Sequence, residues 1–190
     1  QKPLGTSFFH HVQIEQGSLS VSAINLTVDK QARANIRRNH TATHLLHSAL
    51  RTVLGTHVAQ KGSLVQSDRL RFDFSHHKPL SHEEKVAIQS LVQKEIFQNT
   101  SLDVEECSQD EAKSKGALAL FGEKYGDTVR VVSVPGFSTE LCGGTHVGST
   151  GEIGAFHILS ESGVAAGVRR IEALTGVGAM TYFQQQESLI

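Results

Sequence analysis

Between Asn39 and Gly55, apolar residues return at helical intervals: Ala42, Leu45, Leu46, Ala49, Leu50, Val53 and Leu54. Positions three, four and seven apart share one side of an α-helix, so this stretch predicts an amphipathic helix that must bury that stripe. Asn35 or Asn39 is its expected N-cap and Gly55 its stop. At about 100° per residue, His40, His44, His47 and Arg51 fall within roughly 60° of one another, opposite the stripe. The bland reading of that side is a solvated polar face. A pair of histidines four apart, however, projects two imidazoles one turn apart, close enough to reach one ion.

Far along the chain, Cys142-Gly143-Gly144-Thr145-His146 sets a thiol and an imidazole four residues apart across two glycines. Glycine permits tight turns, so both side chains can enter one site. The bland reading is a structural cysteine beside a loop histidine. Taken together, His40, His44, Cys142 and His146 form a four-ligand set of the kind that zinc takes tetrahedrally from separate segments. With only two cysteines, Cys107 and Cys142, and no C-x-x-C pair, an iron–sulfur cluster is disfavoured. The same scarcity argues against a disulfide scaffold and fits a reducing, cytoplasmic setting.

Composition narrows the rest. The chain has 190 residues, 19% of them charged and 38% hydrophobic, which excludes a disordered chain. No apolar run approaches the ~18 residues of a membrane span. A net charge of −1 rules out a uniformly basic nucleic-acid-binding surface, though not a local patch. The first residues carry no signal-peptide pattern, and the only methionine is Met180, so an excised domain is expected.

Element by element, Phe8–Glu15 and Leu19–Val28 read as a hairpin around Gly17. Residues 57–75 hold strand-like runs. Ser81 with Glu84 is a capping box for a helix to about Gln98, with a stripe of Ala87, Ile88, Leu91, Val92 and Ile96. Leu102–Cys107 and Thr128–Val134 read as strands, with a short helix from Ser108 to Gly116 between them. Ser138–Thr150 is turn-rich, Ile153–Ser160 and Val168–Thr175 are strands, and Gly178–Ile190 is a helix expected to lead into a further domain. The expected fold is α+β, an antiparallel sheet with helices on one face and the metal site between the first long helix and the Cys/His loop. The expected division is a hairpin lobe at 1–35, a core at 36–176 and a leading-out helix at 177–190.

The run Asn39-His40-Thr41-Ala42-Thr43-His44-Leu45-Leu46-His47, then Gln60-Lys61-Gly62-Ser63, Leu70–Phe74 and Cys142–His146 resembles the editing domain of alanyl-tRNA synthetases. Gly163–Gly176 is similar to the bacterial form, and the likeness covers nearly the whole chain. Free-standing alanyl-type editing proteins and the threonyl-tRNA synthetase editing domain share the four-ligand pattern, but Cys-Gly-Gly-Thr-His is nearer the alanyl branch. The resemblance implies hydrolysis of tRNA(Ala) wrongly charged with serine or glycine, and no aminoacylation by this stretch. It implies zinc on His40, His44, Cys142 and His146, and a pocket lined by Thr43, Gln60 and Ser63. It implies as partners the tRNA acceptor end and the rest of a synthetase. The rival readings are a threonyl-type or free-standing deacylase, and a non-catalytic zinc module that docks tRNA.

Four protein ligands make a closed site, whereas catalytic zinc keeps a place open, so the residues leave open whether the ion reacts or positions substrate. No Ser-His-Asp spacing is visible, and direct attack by water is expected. Arg37, Arg38, Arg51, Lys61, Arg69, Arg71, Arg169 and Arg170 are the candidates for phosphate contact. His10, His11, His76, His77 and His82 read as surface residues, and Cys107 as a strand residue without a role.

Overall fold

The computed structural model describes residues 2–4, 7–18, 20, 23–119 and 126–189. Its central element is helix α1, Lys30–Leu54. The helix begins earlier than its apolar stripe: the Asp29 side chain accepts a hydrogen bond from the Ala32 N–H and caps it, so Asn35 and Asn39 lie inside. Gly55, at φ 116°, ends it in a conformation that a residue with a Cβ rarely adopts. Helix α2, His82–Gln98, carries the expected capping box, with Ser81 and Glu84 each bonding the other's backbone. Ile88, Val92 and Ile96 of its stripe are buried, while Ala87 faces outward. The short helix α3, Gln109–Ser114, has a second such box from Ser108 and Glu111, and α4 spans Gly176–Glu187.

The architecture is α+β with antiparallel sheets, but the sheets are separate. Strands β1 (Lys2–Leu4) and β2 (Ser7–Phe9) form a short hairpin. The longer hairpin expected over residues 8–28 is not seen among the described residues. Positions 10–18, 20 and 23–29 carry no strand, and 19, 21 and 22 lie outside the description. Strands β3 (Gln60–Val65), β4 (Leu70–Ser75), β8 (Phe156–Ala165) and β9 (Val168–Thr175) make a four-stranded sheet in the order β3-β4-β9-β8. Strands β5 (Asp103–Ser108), β6 (Thr128–Val134) and β7 (Ser138–Leu141) make a three-stranded one. The turn-rich reading of 138–150 therefore holds only past Leu141. β7 is a strand because β6 supplies its ladder, a partner that local composition does not reveal.

The main core joins the two parts. Leu45, Leu46, Ala49 and Leu50 of α1 pack with Phe72 and Phe74 of β4, Ile171 of β9, and Ile88, Val92 and Ile96 of α2. Residues such as Phe72 bury roughly 1.5–3 kcal/mol of transfer free energy each, which fixes α1 against the sheet. The glutamines of α2 close the edge of β8: Gln93 accepts from the Phe156 N–H and Gln89 from the Ile158 N–H, both at 2.9 Å. No helix among the described residues is long and apolar enough to cross a membrane.

Candidate metal centre

The polar side of α1 is not solvated. Thr41, Thr43, His44 and His47 are buried, because β7 and the loop after it cover that side of the helix. Strand β7 delivers the chain to Cys142, and Arg130 of β6 folds the next residues down. One terminal guanidinium nitrogen donates to the Cys142 carbonyl at 2.7 Å and to the Gly144 carbonyl at 2.8 Å. From α1, Arg37 donates to the carbonyl of His146. Two arginines thus hold the Cys-Gly-Gly-Thr-His loop through its main chain.

The loop lies directly on the helix. One ligand atom from each of His40, His44, Cys142 and His146 falls within 4.8 Å of the others. Cys142 Sγ is 3.4 Å from His40 Nε2 and 3.3 Å from His146 Nε2. Zinc bonded to nitrogen and sulfur at about 2.05 and 2.3 Å in a tetrahedron sets ligand atoms roughly 3.3–3.6 Å apart, and the two sulfur–nitrogen separations are of that size. The imidazoles crowd together, with ring centroids 4.2 Å apart for His40 and His146 and 4.6 Å for His44 and His146.

Crowded, buried rings resist protonation. Burial, then the charges of His40 and Arg130, pushes His146 down to about 3. His44 lies well below the usual histidine value, through burial and then its neighbours His146 and His40. His40 is lowered chiefly by burial, partly offset by a hydrogen bond from its ring to the Thr145 backbone. Neutral imidazoles keep the lone pairs that a metal needs.

A surrounding set of groups orients these rings. Thr41 Oγ1 lies 3.1 Å from His146 Nδ1 and accepts the Val147 N–H at 3.2 Å, leaving His146 Nε2 turned toward Cys142. Glu140, almost wholly buried, takes His47 Nδ1 at 3.0 Å and stands 3.7 Å from His44 Nε2. Spacing places His47 on the helix face of His40 and His44 but does not reveal its partner Glu140, since the two pair across 93 positions.

The pocket candidates are placed as follows. Gln60 Nε2 donates to Ser63 Oγ at 3.3 Å on β3. Their shared orientation comes from a bulge: Gln60 pairs with Phe74, but Gly62 pairs with Asp73 and Ser63 with Phe72, so Lys61 is the extra residue. Directly paired residues share a face of the sheet, so half-buried Gln60 and exposed Ser63 both stand on the side of Phe72 and Phe74. The His47 ring packs on Phe72, 5.3 Å between centroids, and links this wall to the ligand cluster. Thr43 turns its hydroxyl back to the Asn39 carbonyl at 2.8 Å, one turn earlier in α1.

Of the arginines expected at phosphates, several have partners in the fold. Arg170 forms two bonds to Asp73, Arg169 bonds Glu161, and Arg51 holds the carbonyls of Thr56 and Val58. His76 is not a surface residue but buried, with His57 Nε2 at 3.0 Å from its Nδ1.

Comparison with known proteins adds a family. Residues 129–172 match the family model described as the threonyl and alanyl tRNA synthetase second additional domain. The chain is 57% identical over 188 residues to an alanine--tRNA ligase of Hydrogenovibrio crunogenus, covering 98% of this chain. It is 52% identical over 189 residues to that of Pseudothermotoga lettingae and 55% identical over 185 to that of Pseudoalteromonas translucida, covering 99% and 97% of this chain. It spans 22%, 22% and 21% of the length of these three relatives.

Proposed function

We propose, from the premise that this chain belongs with the editing domains of alanyl-tRNA synthetases, that it hydrolyses the ester of tRNA(Ala) mischarged with serine or glycine, with zinc held by His40, His44, Cys142 and His146. The observation that carries this reading is the cluster itself: three low-pKa imidazoles and a thiol, with two sulfur–nitrogen separations of the tetrahedral size. Zinc bound there supplies Lewis acidity.

The chain's own residues supply the rest. Arg130 and Arg37 hold the ligand loop in place through its carbonyls. Gln60 and Ser63 present a carboxamide and a hydroxyl on the face that leads to the cluster. A serine hydroxyl can bond to Gln60 or Ser63 in exchange for their mutual bond, whereas the alanine methyl makes no bond to either. Thr43 uses its proton on Asn39 and retains only acceptor capacity toward the pocket. Selection against serine and glycine needs such a second site, because one methyl group is worth only ~1–3 kcal/mol in a synthetic pocket. The partners in this reading are the acceptor end of tRNA(Ala) and the rest of a synthetase.

The test is deacylation of Ser-, Gly- and Thr-charged tRNA by this chain, with and without a chelator. Chelator-sensitive release of serine and glycine from tRNA(Ala) is expected. Preference for threonine would favour the threonyl-type reading. Zinc and tRNA binding without turnover would overturn the hydrolytic one and leave a docking module.

A further inference from the structure

We infer that Asp73 and Arg170 are positioning residues for the Gln60–Ser63 pair, and so set the choice between serine and glycine. The inference rests on the editing reading above.

Strand β3 is an edge strand: β4 is its only neighbour in the sheet among the described residues. It carries a bulge at the two functional candidates. A bulge interrupts ladder hydrogen bonds, and β3, largely polar with a glycine at its bulge, is the kind of strand whose register is weakly specified by burial alone. A single residue of slip would turn Gln60 or Ser63 to the opposite face.

Two fixtures are present. At the far end of the strand, buried Asn39 donates to the Gln66 carbonyl at 2.8 Å and accepts from Thr175 Oγ1 at 2.7 Å, tying the β3–β4 turn to α1 and β9. At the bulge itself, Gly62, Asp73 and Arg170 form one row across β3, β4 and β9. Arg170 grips Asp73 with two bonds, Nε to Oδ1 at 2.7 Å and the second guanidinium nitrogen to Oδ2 at 2.8 Å. The clamped carboxylate lies over Gly62, where a Cβ would sit 3.5 Å from Oδ2. The fork allows one orientation of the carboxylate, so the row fixes the residue at which normal pairing resumes. Gln60 and Ser63 flank that residue on the opposite face.

The row is on the side of the sheet away from the ligand cluster, so Asp73 acts on selection only through β3. The test uses Asp73→Asn and Arg170→Lys, alone and combined with Gln60→Leu, in single-turnover deacylation of Ser- and Gly-tRNA(Ala). It also measures zinc content and amide exchange across 60–65. Arg170→Lys keeps the charge but loses the fork, and serves should Asp73→Asn fail to fold. Zinc content is expected to stay that of the parent, and exchange in β3 to quicken while α2 is unchanged. The serine-to-glycine rate ratio is expected to fall roughly fivefold, as when one hydrogen bond is weakened. In the Gln60→Leu background the ratio should fall no further, because the two changes act on one interaction. An unchanged ratio, or effects that multiply independently, would overturn the inference. A parent chain that deacylates neither substrate would instead overturn the editing reading, while exchange in β3 would still report on the clamp.

Discussion

Gly144 lies against the ring of His40 so closely that a Cβ built on it would fall 2.1 Å from Cε1 and 2.6 Å from Nδ1. No side chain fits there, whereas a Cβ on the neighbouring Gly143 would meet nothing within 4 Å. The two glycines of the loop are therefore not equivalent. Gly144→Ala should push His40 out of the cluster and lower zinc affinity by at least tenfold, while Gly143→Ala should retain it. Competition with a chromogenic chelator would measure both, and equal affinities would show that the loop yields instead.

Removing the thiol tests the cluster's part in the reaction. Cys142→Ala deletes one ligand of four, so hydrolysis of Ser- and Gly-tRNA(Ala) should fall together along with bound zinc. Elemental analysis beside single-turnover rates provides the check. Full activity with zinc absent would detach the cluster from the chemistry.

Gln60 should fail in a different way. Gln60→Leu leaves the four ligands untouched and is expected to retain zinc. Its loss should weigh on the serine substrate more than on glycine, by about the value of one buried hydrogen bond, ~1–3 kcal/mol or roughly 5- to 150-fold. Equal losses on both substrates would assign Gln60 to the ribose or the water rather than to the amino acid.

Thr41 is not itself a proposed ligand, yet its hydroxyl sets the His146 ring through Nδ1. Thr41→Val keeps the shape and removes that oxygen, which also strands the Val147 N–H. Zinc affinity should drop about 10- to 100-fold, as for other groups that orient a metal-binding histidine. Thr41→Ser should restore most of it.

How far the fold can be read from residues alone depends on how local its causes are. Helix α2 and the box at Ser81 and Glu84 were legible, because a cap and a stripe are written within a few positions. The start of α1 was not, since residues 30–38 lack the apolar repeat and Asp29 is the signal. Strand β7 was read as turns because Ser138–Leu141 is short and polar, and only β6 makes it a strand. The four Cys/His positions stood out through their two spacings, and the chain brings them together. The His47–Glu140 and His57–His76 contacts did not, because each depends on a partner brought close by the sheets. The shared face of Gln60 and Ser63 also needed the bulge, which an odd spacing along a regular strand would deny.

The ligand cluster joins α1 to a loop 102 residues further on, from His40 to Cys142. An ion held there would bind only a chain that has brought both segments together, so its binding free energy would add to the stability of the fold. The contact is far from local, and contacts of high sequence separation form slowly. An ion bound by the histidine pair alone during synthesis would wait on α1 for most of the chain to emerge. On the proposed function, metal supply would then govern how quickly the two segments lock, and how long the half-assembled chain stands open to proteases.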